Sequence, residues 1–279
     1  MPELPEVETI KRALTRTLLN KRIERVLVRD ARLRWPVDQG RLKKLAVNRN
    51  IKKITRRAKY LLLGLEQEST LIIHLGMSGR LLLLEQPVPF EKHDHVIFYF
   101  HDHTELRFRD PRRFGLVDAI PSDEIKSYPR FTHLGLEPLT RSTTPEKLFE
   151  RARRLKKPIK NLLMDAHFIV GVGNIYASEA LFYTGIHPSL PSCDLSQCDW
   201  ERLFGEVRRV LRRAIKKGGT TLNDFVNSNG ETGYFQLSLA VYGREGEMCF
   251  VCGSKIERFV QVGRSTFFCP TCQARKNAI

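Results

Sequence analysis

The sequence predicts an α+β protein of more than one domain: a single helix, a β-sandwich or barrel of short strands, then a helical region closed by a small cysteine-rich hairpin. Three observations predict it. The chain has 279 residues, more than one ordinary core organises. Its apolar period changes near residue 130, from short β-branched or leucine-rich runs to helical spacing. Four of its 6 cysteines gather between residues 249 and 272.

Taken in order, Pro5 to Leu19 reads as a helix. Val7, Ile10, Leu14 and Leu18 recur at spacings of three and four, Glu6 and Glu8 sit where the helix dipole favours negative charge, and Pro5 lies where a missing N–H costs nothing. Arg22 to Asp30, Lys52 to Ala58, Tyr60 to Glu66 and Leu71 to His74 read as strands. His95 to Phe100 and Thr104 to Phe108 read as hairpin arms, and Phe114 to Ile120 as a further strand. Beyond residue 134 the pattern is helical: Pro145 to Leu155, with Ser and Thr before it and Glu146 in its first turn, then Pro158 to Asp165, Asn174 to Tyr183, and Trp200 to Lys217. The last is amphipathic, with Leu203, Val207, Val210, Leu211 and Ala214 on one face, and Gly218-Gly219 ends it. The polar stretch 219–240 reads as a long, mobile loop.

Composition excludes several classes. The longest apolar runs, such as Tyr60 to Leu65, fall far short of the roughly 20 residues a membrane span needs. No cationic, apolar leader opens the chain, so a cytoplasmic location is expected, without membrane association. The formal charge is +16, spread over both halves and densest in 11–59, where 18 basic residues face only Glu24, Asp30 and Asp38. A field of that size attracts polyanions, and nucleic acid is the partner it points to.

The cysteines fall as Cys249-x2-Cys252-x16-Cys269-x2-Cys272. Two C-x-x-C pairs at that separation suit one tetrahedral zinc held by four thiolates; two disulfides or a redox pair are the alternatives, disfavoured in a reducing compartment. A closed four-thiolate site leaves no position for water, so its role is structural. Lys255, Arg258 and Arg264 lie beside Phe259, Phe267 and Phe268 between the pairs, as in a nucleic-acid-binding hairpin. Cys193 and Cys198 read as ordinary thiols. His93, His95, His101 and His103, amid Asp94 and Asp102, read as solvated residues near turns rather than a second metal site.

The opening MPELPEVE is by itself an ordinary capped helix start. Loss of Met1 would nevertheless expose Pro2 as a secondary amine with an α-amino pKa of about 7.7–8.0, partly neutral and nucleophilic near pH 7. Condensed with an aldehyde carbon, such an amine gives a permanently charged iminium. Glu3, the next residue, suits acid–base work.

With Met1 to Glu8, Lys59, HLGMSGR at 74–80, DPRRFG at 110–115, MDAHFIVGVGNIYASEALF at 164–182, GGTTLNDFV at 218–226 and Gly263-Arg264-Ser265-Thr266 inside the four-cysteine finger, the chain resembles formamidopyrimidine-DNA glycosylases from end to end. The resemblance implies an N-terminal β-sandwich catalytic domain over 1–133. A helix-two-turn-helix DNA-binding domain with a lesion loop would follow over 134–240, and a zinc finger over 241–279. It implies a monomeric, bifunctional base-excision repair enzyme acting on double-stranded DNA containing oxidised bases, with one structural zinc and no diffusible cofactor. Pro2 would attack C1′ of a flipped-out nucleotide, Glu3 would handle protons at the sugar, and Lys59 and Arg264 would supply protons in β- and δ-elimination. Glu6 would be a supporting carboxylate or a plain helix cap. Met77, Arg112 and Phe114 would fill the vacated stack, Phe114 as wedge and Arg112 on the orphaned cytosine. His74, Asn174 and Lys59 would grip the backbone, Asn174 from a helix start delivered by the GVGN turn. Ala166-His167-Phe168 and Ser78 depart from the family pattern, the former bearing on packing and the latter on the base pocket. Two other readings stay open: an endonuclease VIII-like enzyme for oxidised pyrimidines, disfavoured by the PELPEVE opening and Arg112-x-Phe114, and a non-catalytic zinc-ribbon binder.

Overall fold

The computed structural model describes residues 2–218 and 239–274, with the backbone of 225 and 226. The long loop expected at 219–240 lies almost wholly outside the described residues, as do Met1 and most of the GGTTLNDFV segment. The chain divides into two compact units, Met1–Thr132 with Lys217–Phe235, and His133–Lys216 with Gln236–Ile279.

The first unit opens with α1 (Leu4–Leu18), whose buried stripe is Val7, Ile10, Leu14 and Leu18. Two four-stranded antiparallel sheets follow. One runs β8 (Leu116–Pro121), β4 (Ser69–His74), β3 (Tyr60–Leu65), β2 (Arg49–Arg57), and the other β1 (Arg22–Val28), β6 (Asp94–Phe100), β7 (Glu105–Arg109), β5 (Arg80–Leu84). Among the described residues they join where Arg22 and Ile23 of β1 meet Asn50 and Arg49 of β2. A two-residue strand, β9 (Phe225–Val226), adds in parallel beside Leu81 and Leu82. The sheets bury their inner faces in one core, with Ile54, Leu63, Leu71 and Ile73 from one and Val26, Val96, Phe98, Leu106 and Phe108 from the other, closed by α1. That is a β-sandwich.

Besides β9, which falls within the stretch expected to be a loop, two longer elements escape the sequence reading. The helix α2 (Gln39–Ala46), capped by Asp38, buries only Leu42 and Ala46, too few apolar positions to show a period. Strand β5 is Arg80 followed by four leucines, three of them buried, so it lacks the alternation that marks a half-exposed strand. The histidine group also differs from expectation. His101 and His103 are exposed, but Asp94 and His95 are each 1% exposed and hydrogen-bonded: His95 Nε2 lies 2.8 Å from the Asp110 carbonyl, and Asp94 binds Arg107 and Arg109. The strand continues through them into the core, so their polarity is satisfied by partners instead of water.

The second unit packs α3 (Pro145–Ala152), α4 (Ile159–Leu163), α5 (Asn174–Thr184) and α6 (Gln197–Lys216). Trp200, Leu203, Phe204, Val207 and Leu211 of α6 meet Tyr176, Ala177, Ala180 and Leu181 of α5 in its core. Phe168, one of the departures from the family pattern, joins this core 5.6 Å from the Trp200 ring. Thr144 caps α3, and Gly185, at φ 67°, ends α5. The finger hairpin, β10 (Glu257–Gln261) and β11 (Arg264–Phe268), follows, and the finger's buried Cys249, Ile256 and Cys269 cluster with Phe182, Ala240 and Val241.

Candidate functional site

In the first unit the expected catalytic residues sit at the head of α1 and at a neighbouring hairpin. Pro2 is buried, and Glu3 and Glu6 are 2% and 4% exposed. Glu3 is the N-cap of α1, and its backbone N–H donates to Glu6 Oε2 at 2.8 Å within a capping box. Glu6 therefore holds the backbone beside Pro2, the capping role weighed above. Lys59 lies in the two-residue turn between β2 and β3, where Ala58 adopts a left-handed φ of 53°. Arg56 ties this turn to α1, donating from Nη1 to the Ala58 carbonyl at 2.8 Å and from Nε to Glu8 Oε2 at 3.2 Å.

His74 ends β4, its ring 4.5 Å from that of Tyr60. Its Nδ1 accepts the Gly76 N–H at 3.0 Å. Burial, then the positive charges of Lys59 and Arg34, pull its pKa down to about 4. The ring is therefore neutral near pH 7 with its proton on Nε2, a fixed donor suited to a phosphate oxygen.

Met77, Arg112 and Phe114 come together on two facing turns. Met77 and Phe114 are 42% and 40% exposed, large apolar side chains held out in water, and the Arg112 guanidinium lies 4.9 Å from the Phe114 ring. The turns fit because of two glycines: a Cβ at Gly76, which has φ 62°, would overlap the Phe114 backbone, and one at Gly115 would overlap the Phe108 ring. Asp110, 0% exposed, fastens them, accepting from Ser78 Oγ at 2.6 Å and the Gly115 N–H at 2.8 Å. Ser78 Oγ in turn accepts the Arg112 N–H at 3.1 Å. The serine expected as a departure near the base pocket thus pairs with the turn that carries Phe114, the expected wedge. Asp110 was legible only as the opening of a DPRR turn, because its partners are 5 and 32 positions away.

In the second unit Asn174 and Arg264 are drawn together by the finger. Asn174 opens α5 after the N-cap Gly173, and its Nδ2 donates to the Ser265 carbonyl at 3.0 Å. Arg264 is exposed at the start of β11, directly after the turn Val262-Gly263, whose φ values of 49° and 69° are those of a tight primed hairpin. Lys160, which the sequence reading passed over, is 1% exposed and donates from Nζ to the Ser265 carbonyl at 3.1 Å and Thr266 Oγ1 at 2.7 Å. A lysine inside an apolar helix was its only signal.

The four finger cysteines bring their sulfurs within 4.8 Å of one another, with Cys249 to Cys272 at 3.8 Å and Cys252 to Cys269 at 3.4 Å. Thiolates around a zinc at about 2.3 Å stand about 3.8 Å apart, so the set fits one zinc ion. Each separation is far beyond a sulfur–sulfur bond of about 2.05 Å. Backbone N–H groups of Val251 and Cys272 point at Cys249 and Cys269 Sγ, each at 3.4 Å. Among the described residues, His93, His95, His101 and His103 belong to no such cluster. No helix there is long and apolar enough to cross a membrane.

Comparison with known proteins covers nearly the whole chain. Residues 1–117 match the formamidopyrimidine-DNA glycosylase N-terminal domain, 134–226 its H2TH domain, and 246–275 the zinc finger found in FPG and IleRS. A formamidopyrimidine-DNA glycosylase of Acidithiobacillus ferrooxidans is 48% identical over 273 residues, 98% of this chain and 100% of the relative. One from Pseudomonas aeruginosa is 47% identical over 275 residues, with the same coverage. Among solved structures, a Lactococcus lactis FPG variant bound to Fapy-dG-containing DNA superimposes with a TM-score of 0.90 at 33% identity, covering 98% of this chain and 100% of that one. The wild-type Lactococcus lactis protein bound to DNA with an oxidised pyrimidine gives 0.89 at 34% identity, with the same coverage.

Proposed function

The chain belongs to the formamidopyrimidine-DNA glycosylase family, and we propose that it excises oxidised purines (8-oxoguanine and formamidopyrimidines) from double-stranded DNA and then cuts the strand at the abasic site. The observation that carries this reading is the buried Pro2-Glu3 head of α1 in a chain alike to its relatives from end to end. In functional terms, 1–133 carries the chemistry, 134–240 binds DNA, and 241–279 is the finger. The enzyme works as a monomer in the bacterial cytoplasm, against the nucleoid.

Removal of Met1 turns the Pro2 nitrogen from an amide into a secondary amine. Its lone pair attacks C1′ of the extruded nucleotide, and the damaged base leaves with the electrons of the glycosidic bond. Glu3 protonates the ring oxygen as the sugar opens, leaving an iminium between Pro2 and C1′. That cation acidifies the C2′ hydrogen. Loss of this proton expels the 3′ phosphate, and a second elimination expels the 5′ phosphate, with Lys59 and Arg264 moving protons. Glu6 keeps the Glu3 backbone in place. His74 donates from Nε2 to a backbone phosphate, and Asn174 contributes at the start of α5. Phe114 wedges into the duplex, Arg112 takes the orphaned cytosine, and Met77 fills what remains. Cys249, Cys252, Cys269 and Cys272 would hold the zinc, which supplies folding of the finger.

Borohydride with an 8-oxoguanine duplex tests the reading. The expected product is a covalent adduct on the N-terminal peptide by mass spectrometry, absent from Pro2→Gly and from chain that keeps Met1. An adduct on a lysine, or full base release by the Met1-bearing chain, overturns it. A parallel thymine glycol duplex should be processed more slowly.

A further inference from the structure

Beside His74 and Lys59 the first unit carries basic and aromatic groups that the mechanism above does not use. Trp35 has two guanidiniums on its ring, Arg34 at 4.7 Å and Arg130 at 4.0 Å from the centroid. Arg130 also lies 5.6 Å from the Tyr128 ring. From there the aromatic contacts continue through Phe131 (4.9 Å from Tyr128) and Tyr60 (5.1 Å from Phe131) to His74. The electrostatics place the two arginines along the same line. Burial raises the pKa of the Tyr60 phenol while the charges of Arg130 and Arg34 pull against it, and Arg34 joins Lys59 in depressing that of His74.

Among the described residues neither arginine makes an ion pair; Arg22, Arg25, Arg29 and Arg49 of the same unit share that state, whereas Arg32, Arg41, Arg56, Arg107, Arg109 and Arg113 are paired. Arg130 Nε is buried without a hydrogen-bond partner, as are His93 Nδ1, Asn161 Oδ1, Asn174 Oδ1 and Trp200 Nε1. Arg130 lines a 210 Å³ cavity with Asp118, but that carboxylate is already taken by Arg41 at 2.6 Å and the Tyr128 hydroxyl at 2.9 Å. Two cations share one indole with no anion paired to either. A phosphate supplies that anion, because the outer N–H groups of a guanidinium match its oxygens and stacking fixes the group beforehand.

We propose that Arg34 and Arg130, held on the Trp35 ring, form a second phosphate subsite for the DNA backbone beside the one assigned to His74 and Lys59. This rests on the DNA-repair reading above. It extends the grip on the duplex by a contact independent of the lesion.

Full-length, zinc-loaded protein with a lesion-free duplex tests it, by measuring affinity against potassium chloride for wild type, Arg34→Gln and Arg130→Gln. Each variant should lower the slope of log affinity against log salt by about 0.9 and weaken binding about eightfold at 0.1 M salt. Replacing single phosphates by methylphosphonates should reveal one position that reproduces the loss in wild type and adds nothing in Arg130→Gln. Slopes equal to wild type in both variants, or no position that is non-additive with Arg130→Gln, overturn the subsite. Should Arg130→Gln melt early, Arg130→Lys decides: a retained slope supports the phosphate contact, and a loss like that of Gln overturns it. Failure of the DNA-repair reading looks different, since wild type would itself show a flat salt plot and no base release.

Discussion

His74 shows how one residue's chemistry is set by neighbours. The free imidazole would be partly charged near pH 6.5, yet burial beside Tyr60 and the positive charges of Lys59 and Arg34 hold it neutral down to about pH 4. The sign of the linkage follows. Below about pH 6.5 the unfolded chain takes up a proton that the folded chain refuses, so stability falls as pH drops from about 6.5 to about 4, and is indifferent to this group above that window. Fully developed, the loss is on the order of 3 kcal/mol. Urea unfolding at pH 7 and pH 5 should show wild type losing more stability than His74→Gln, and the His74 Cε1–H resonance should not titrate above pH 5. A midpoint at or above 6.5 would sink the assignment of a neutral, Nε2-protonated donor. The motif HLGMSGR made the residue legible. Its protonation was not, because the Gly76 N–H and the Tyr60 ring that fix it are arranged by the turn and by strand pairing.

At the scale of the element, the informative object is the pair of turns that present Met77, Arg112 and Phe114. Most strands were readable because half-buried strands alternate and turns carry Gly, Pro or Asp; α2 and β5 were not, one for want of apolar residues and the other for its unbroken run of leucines. The turns were readable as turns, but not as one device. What makes them one is Asp110, with one carboxylate oxygen on Ser78 and the other on the Gly115 N–H. Asp110→Asn must point an amide N–H₂ at one of two donors, leaving a buried N–H or O–H unanswered. The expected cost is about 1–3 kcal/mol of folding stability. Phe114, the proposed wedge, loses its fixed position, so single-turnover excision should slow about tenfold, the kinetic equivalent of about 1.4 kcal/mol. Binding to undamaged duplex should change little, since the proposed phosphate contacts lie elsewhere. Excision unchanged in a folded Asp110→Asn protein would show that the turns hold their shape without this carboxylate.

The whole molecule is two units, each with its own core, and one of them depends on a metal. The sandwich core draws on α1 and both sheets and needs nothing further. Among the described residues the finger's own cluster is Cys249, Ile256 and Cys269 with Phe182, Ala240 and Val241, edged by Phe267 and Cys272, too small to hold a hairpin whose Val260 and Val262 are 66% and 81% exposed. Zinc binding, on the order of 10 kcal/mol and coupled to folding, supplies the difference. The consequence reaches beyond the finger. Lys160, inside α4, donates to the Ser265 carbonyl and Thr266 hydroxyl of the hairpin, as Asn174 does to Ser265, so losing the hairpin removes acceptors from a buried ammonium. A strong chelator should therefore lower the melting of the helical unit as well as unfold the finger, while leaving the sandwich transition where it was. Lys160→Met should narrow the gap between metal-loaded and metal-free helical transitions, because an apolar side chain loses little when the hairpin leaves. Calorimetry of wild type and variant, each with and without chelator, reads all four states. If the helical transition ignores the chelator, the buried lysine draws its stability from within the helices, and the finger is a passenger on that unit rather than part of its fold.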